Sequence, residues 1–139
     1  PVRIRAGSLG RGLPERDMLV SPNHRVLVTR PEVSLYFSEP EVLVPTKHLV
    51  NQTEGVTQVA ANGIDYIHFM FDNHEVVLSD GSWTESFQPG DMALKGVGLD
   101  QQKEIFELFP ELREDVRAFG PSARMSLKGT EGAVLSKLI

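Results

Sequence analysis

Short alternations of apolar and polar residues fill the first ninety positions and give way to a helical period toward the end. Val2-Arg3-Ile4-Arg5 alternates as a half-buried strand does. Met18-Leu19-Val20 and Arg25-Val26-Leu27-Val28-Thr29 are β-prone runs. Ser21-Pro22-Asn23-His24 separates them, a combination that interrupts regular pairing and makes a tight connection. The pattern predicts further strands at 33–37 and 41–44, joined by the turn Ser38-Glu39-Pro40. Residues 45–50 fit either a strand or one helical turn. Residues 56–60 and 64–71 flank Ala61-Asn62-Gly63, and Asn-Gly predicts a hairpin there. Asp72-Asn73 then turns the chain into a strand over 74–78, which Ser79-Asp80-Gly81 ends.

The tail has a different period. Asp100 is a helix-capping residue type, and Ile105, Phe106, Leu108, Phe109 and Leu112 share one helical stripe. Pro110 interrupts that stripe, which predicts one helix ending at Phe109 and a second, short one over about 111–119. Gly120-Pro121 closes the helical region, and Val134, Leu135, Leu138 and Ile139 are expected to dock as a final strand. The expected fold class is therefore mainly β with a short helical tail. Residues 1–90 form the β part, and 91–139 pack on the same domain.

Composition narrows the function more than the fold. The 139 residues suit one soluble domain with a modest core, and the charge balance, 14 − 19 = −5, lacks the basic footprint of a nucleic-acid binder. No apolar run is long enough to suggest a membrane span. The chain contains no cysteine, which removes thiolate zinc sites, disulfides and cysteine nucleophiles within these residues. Pro1 opens the chain without a methionine, which reads as a piece of a longer protein.

Ser21 and His24 are the first residues with chemical promise. A tight turn can present a hydroxyl and an imidazole together. The imidazole can protonate a departing amide nitrogen while the hydroxyl orients the scissile carbonyl. The plainer alternative is that Ser21 and Asn23 merely form the turn and His24 starts a strand. His68, His74, Asp72 and His24 also have the chemistry of metal ligands, against the plainer reading of a half-buried histidine at 68 and a simple turn at Asp72. No metal or cofactor is expected. His48, beside Lys47, reads as a surface residue, and Phe69, Phe71, Trp83 and Phe87 read as core.

Leu19-Val20-Ser21-Pro22-Asn23-His24-Arg25-Val26-Leu27-Val28 resembles the Thr-x-x-His block of the Hint (hedgehog/intein-type) family, with Ser21 in the threonine position. The segments 42–51, 66–78 and 80–87 resemble the bacterial branch of that family in the same order. The resemblance implies a Hint-type β fold, here incomplete at its N-terminus. It implies autoprocessing, in which a cysteine or serine attacks the preceding peptide carbonyl in an N-to-S or N-to-O acyl shift. By position Ser21 would orient the scissile amide and His24 would be the acid/base. His74 would match a histidine that assists a second cleavage in splicing relatives, with Asp72 beside it. Members of the branch accompany calcium-binding repeat proteins exported by type I secretion, which implies an extracellular destination.

Two departures shape the expected function. The nucleophile is expected upstream of residue 1, so these residues alone are expected to be inactive. The chain ends Ser-Lys-Leu-Ile rather than His-Asn, which disfavours splicing. The expected partners are the missing N-terminal half of the domain and, for the isolated chain, a second copy covering exposed sheet edges. Neither nucleic acid nor membrane is expected as a partner. The alternatives are a non-catalytic binding or spacer module of a secreted protein, and an independent enzyme acting through Pro1 or a histidine metal site. Pro1-Val2-Arg3-Ile4-Arg5 superficially resembles the opening strand of the tautomerase family, but residues 6–50 offer no helix of the length that fold needs.

Overall fold

The computed structural model describes residues 1–50, 55–60, 63–89 and 98–138. They fall into two compact units, one made of 1–67, 76–85 and 124–139 and the other of 68–75 and 86–123. The first unit carries two sheets. Strand β1 (Val2–Ile4) lies between β2 (Met18–Val20) and β5 (Val56–Gln58), antiparallel to both. The second sheet runs β6 (Val76–Ser79), β7 (Ser82–Glu85), β3 (Arg25–Val28), β4 (Val42–Pro45) and β8 (Met125–Ser126). All its pairings are antiparallel except β4 with β8.

Alternation dictates what these strands bury. Val2, Ile4, Met18, Val20 and Val56 from the small sheet share one core with Val26, Val28, Val42 and Val44 from the large one. Each fully buried valine or leucine is worth about 1.5–3 kcal/mol, so this shared core is what joins the two sheets. The register pairs Val26 with both Val44 and Thr84, and therefore places them on one face. Arg25, Leu27, Leu43, Glu85 and Ser126 lie on the other. Leu43 is as fully buried as its neighbours Val42 and Val44, so β4 is covered on both faces.

Residues 33–37 are not a strand. Helix α1 (Pro31–Phe37) occupies them, opened by a proline at its start and closed by Ser38 in the left-handed conformation. Val33 is fully buried and Phe37 packs on the same core, four residues apart, while Leu35 and Tyr36 face solvent. The helical period places these side chains; the alternation at 33, 35 and 37 misleads. Residues 45–50 resolve into the end of β4 and a 3-10 turn over Thr46–His48.

The predicted hairpin at Asn62-Gly63 does not form. β5 pairs with β1 instead, and 64–71 has no regular structure; Ala61 and Asn62 themselves lie outside the described residues. The tight hairpin is at Asp80-Gly81, which joins β6 to β7 with both residues at positive φ, 48° and 80°. His74 and Glu75 precede β6 rather than belonging to it. Of the four aromatics expected in the core, only Phe87 is buried; Phe69, Phe71 and Trp83 are exposed.

Residues 124–138 add β8 and helix α3 (Gly129–Leu138) to the first unit. The expected terminal strand is thus a helix, whose fully buried Leu135 joins the core while Val134 is exposed; Ile139 lies outside the described residues. In the second unit α2 (Leu99–Leu108) begins after Gly98, so Asp100 sits in its first turn rather than at its cap. The predicted second helix is two 3-10 turns, Pro110–Arg113 and Val116–Phe119, broken by extended Asp115. Leu112 and Phe119 bury there, and Phe109 meets Phe119 edge-on at 5.7 Å. Among the described residues no helix is long and apolar enough to cross a membrane.

Candidate active site

The chain passes from the small sheet to the large one through Ser21-Pro22-Asn23-His24. His24 N–H donates to Ser21 O at 3.0 Å, closing a turn between β2 and β3. The Ser21 hydroxyl accepts from Asn23 N at 3.4 Å. Proline and asparagine favour such a turn locally, and a second segment then holds it. Fully buried Thr46 donates through Oγ1 to Ser21 O at 3.0 Å, with Pro22 O at 3.3 Å. Thr46 N donates to His24 O and Lys47 N to Pro22 O, at 2.9 and 3.0 Å. Lys47 Nζ donates to Asn23 Oδ1 at 2.9 Å. The turn is therefore fixed at each of its four residues by backbone or side-chain hydrogen bonds.

His24 precedes β3 by one residue, and alternation carries its side chain to the face shared by Val26 and Thr84. There His24 Nε2 meets Thr84 Oγ1 at 2.5 Å, and Thr84 Oγ1 donates to Arg25 O at 2.8 Å. Thr84 is buried and His24 half-buried.

On the opposite face, Arg25 and Glu85 form an ion pair whose side chains are only 7% and 9% exposed. Glu85 Oε2 accepts from Arg25 Nε at 2.8 Å and lies 2.7 Å from Nη2, while Oε1 accepts from Arg25 N at 3.0 Å. Arg25 Nη1 donates to Ser126 Oγ at 2.8 Å, across β4 to β8. One guanidinium thus ties β3 to β7 and to the last strand, directly behind His24.

The other predicted residues belong to the second unit. His74 is buried, and its Nδ1 accepts from Ala123 N at 2.8 Å, so in the neutral ring Nε2 carries the proton. Asp72 is exposed in the bend two residues before it. Ser21 and His24 are brought together in the first unit; Asp72 and His74 are brought together in the second. His68 is exposed and outside any strand, its ring 5.2 Å from that of Phe87. Among the described residues no group of three or more His, Asp or Glu is arranged to hold a metal ion.

A family model for the Hint domain matches residues 1–91. The chain belongs to the Hint domain family. No curated protein matches the chain, and no solved structure does. The matched segment of this Hint domain contains the Ser21–His24 turn, the Thr46–Lys47 clamp, Thr84 and the Arg25–Glu85 pair. It ends before β8 and α3, which nevertheless supply Leu127 and Leu135 to the core.

Sequence reasoning did not single out Thr46, Thr84, Arg25 or Glu85. For the ion pair a signal existed. Arg25 abuts the apolar run 26–28, and Glu85 ends a strand whose alternation places it on one face with Trp83. A charge at the margin of a buried strand requires a partner. The two threonines gave no signal, because β-prone threonine is ordinary in strands.

His48 is half-buried under α3 rather than a surface residue. A Cβ on Gly132 would come within 2.9 Å of it, so only glycine lets α3 lie this close. Burial, and secondly the charge of Lys47, push the His48 pKa below its ordinary 6.5. The folded state therefore takes up its proton at lower pH than the unfolded state. The stability this contributes is present above pH 6.5 and is lost as pH falls through the folded-state value. Thermal unfolding across that window is expected to show a smaller acid-side loss in His48→Gln than in the native chain. Identical slopes would reject the assignment.

Proposed function

We propose that this chain is part of an autoprocessing Hint module within a larger protein, in which Ser21 and His24 assist cleavage and the nucleophile lies outside residues 1–139. The observation that carries this reading is the imidazole of His24, held at the point where the chain crosses between two sheets. A group that transfers protons to an amide must be positioned before it is basic, and this turn is clamped at all four residues. Thr84, the hydroxyl bonded to His24, gives its own proton to a backbone carbonyl; it is a scaffold rather than a nucleophile.

In the proposed step the hydroxyl or thiol of the nucleophile bonds to the preceding carbonyl carbon, and the C–N bond breaks. The proton lost from the nucleophile ends on the freed amine, with His24 as carrier, so the shift is an isomerisation that consumes no other reactant. Ser21 orients the carbonyl through its hydroxyl, and the resulting ester or thioester is then open to water or another nucleophile. Asp72 and His74 are assigned to this later cleavage by their family position. Mass spectrometry of the parent protein, with Ser21→Ala and His24→Ala in turn, tests the reading. Undiminished cleavage in both variants would remove the roles assigned here.

The same proposal places the parent among bacterial proteins with calcium-binding repeats, exported by type I secretion to the exterior. Recovery of the parent only from the cell fraction would exclude that destination. In the parent, the upstream half of the module is the proposed partner. In isolation a second copy takes its place, supported by the edge strands β2, β5 and β6 and by exposed Leu19, Leu78 and Trp83. Size-exclusion chromatography is expected to give a dimer, and a strict monomer at high concentration would refute this.

A further inference from the structure

We infer that Thr84 is a positioning residue that locks His24 in the tautomer protonated at Nε2, so that proton transfer in the module runs through Nδ1. The catalytic half of this inference rests on the autoprocessing reading above; the tautomer half does not.

The deduction follows from counting hydrogens. A threonine hydroxyl has one proton to donate and lone pairs to accept. Thr84 Oγ1 lies 2.8 Å from Arg25 O, a carbonyl oxygen that can only accept, so the hydroxyl proton is committed there. Toward His24 Nε2 the same oxygen can therefore only accept, and the bond between them requires a proton on Nε2. In the neutral imidazole the basic lone pair is then on Nδ1. Protonating Nδ1 leaves the Nε2–H bond to Thr84 intact, because that contact has the same polarity in the neutral and charged rings. His24 can thus gain and lose its proton without reorienting.

The placement of Thr84 is not left to its own side chain. Val26 and Val77 flank it in register within the large sheet, and it is 3% exposed. The adjacent Glu85 is fastened to Arg25, whose carbonyl receives the Thr84 proton. The ion pair on one face of β3 and β7 therefore sets the distance across which the threonine acts on the other.

The tautomer is read from long-range proton–nitrogen correlations of the His24 ring in the ¹⁵N-labelled 139-residue chain, at about pH 8 where histidine is neutral. The expected result is Nε2–H in the native chain and in Thr84→Ser, which keeps the hydroxyl. In Thr84→Val the Nδ1–H form is expected to become populated. In the parent protein Thr84→Val is expected to slow cleavage by about 10²-fold, the scale of a misplaced catalytic group, with Thr84→Ser restoring most of it. Nδ1–H in the native chain overturns the inference whatever the variants do. So does Thr84→Val with native tautomer and native cleavage rate. A native parent that fails to cleave defeats the functional reading and the proton route together, while the native-chain spectrum still decides the tautomer lock.

Discussion

Glu85→Ala is expected to destabilise the domain by about 3–5 kcal/mol, because it strands the guanidinium of Arg25 without its counter-charge. The side chains of this pair are 7% and 9% exposed, so water cannot replace the lost carboxylate as it would at a surface pair. Three contacts disappear at once: the two guanidinium contacts to Oε2 and the bond from Arg25 N to Oε1. Single domains are stable by about 5–15 kcal/mol, so this one substitution removes a large part of the margin. Chemical denaturation with a lowered midpoint and unchanged slope is the expected signature. The corresponding fall in melting temperature is roughly 10–20 °C. The cost comes from an unpaired buried charge rather than from loss of attraction as such. The double variant Arg25→Met/Glu85→Leu is therefore expected to recover most of the stability. A loss below about 1 kcal/mol for Glu85→Ala, the range of exposed pairs, would show that the pair is solvated and the account wrong.

The second large effect concerns cleavage. His24→Ala in the parent protein is expected to reduce the rate by about 10²–10⁴-fold, the range for removal of a general acid/base. The fold should tolerate the change, since His24 is half-buried and the turn is held by Thr46 and Lys47 through backbone atoms of 21, 22 and 24. Retained secondary structure with lost cleavage is thus the pattern that distinguishes a chemical role from a structural one. Ser21→Ala is expected to cost about 10²-fold, as for a single hydrogen bond to a developing oxyanion. Cleavage within a few-fold of native in His24→Ala would leave the turn as a connection between sheets and nothing more.

Most of the strands were legible because their side chains obey the two-residue period of a half-buried sheet. β1, β2, β3 and β4 fall where alternation or a continuous apolar run places them. The errors cluster where two periods compete over a few residues. At 33–37, three apolar residues at alternate positions read as a strand, yet a proline at the helix start and the i, i+4 pair Val33 and Phe37 fit α1 better. At 64–71 the composition is β-prone, but β5 finds its partner in β1, sixty residues away in sequence terms rather than next door, and Asn62-Gly63 has no second strand to fold back. Local turn chemistry is permissive, and the available pairing partner decides whether it is used.

The candidate site divides in the same way. Ser21, Pro22, Asn23 and His24 are contiguous, so residue type and spacing alone were enough to mark a turn with chemistry and to place the chain beside the Hint domain. Which nitrogen of His24 is basic depends on Thr84, and what holds Thr84 depends on Arg25 and Glu85, sixty positions from one another. By itself the sequence determined the alternation, hence which side chains share a face, and the local turn that carries the histidine. Only the tertiary structure decided which strands lie side by side. Hydrogen-bond polarity and the cost of a buried charge act across strands, between atoms that chain order leaves far apart.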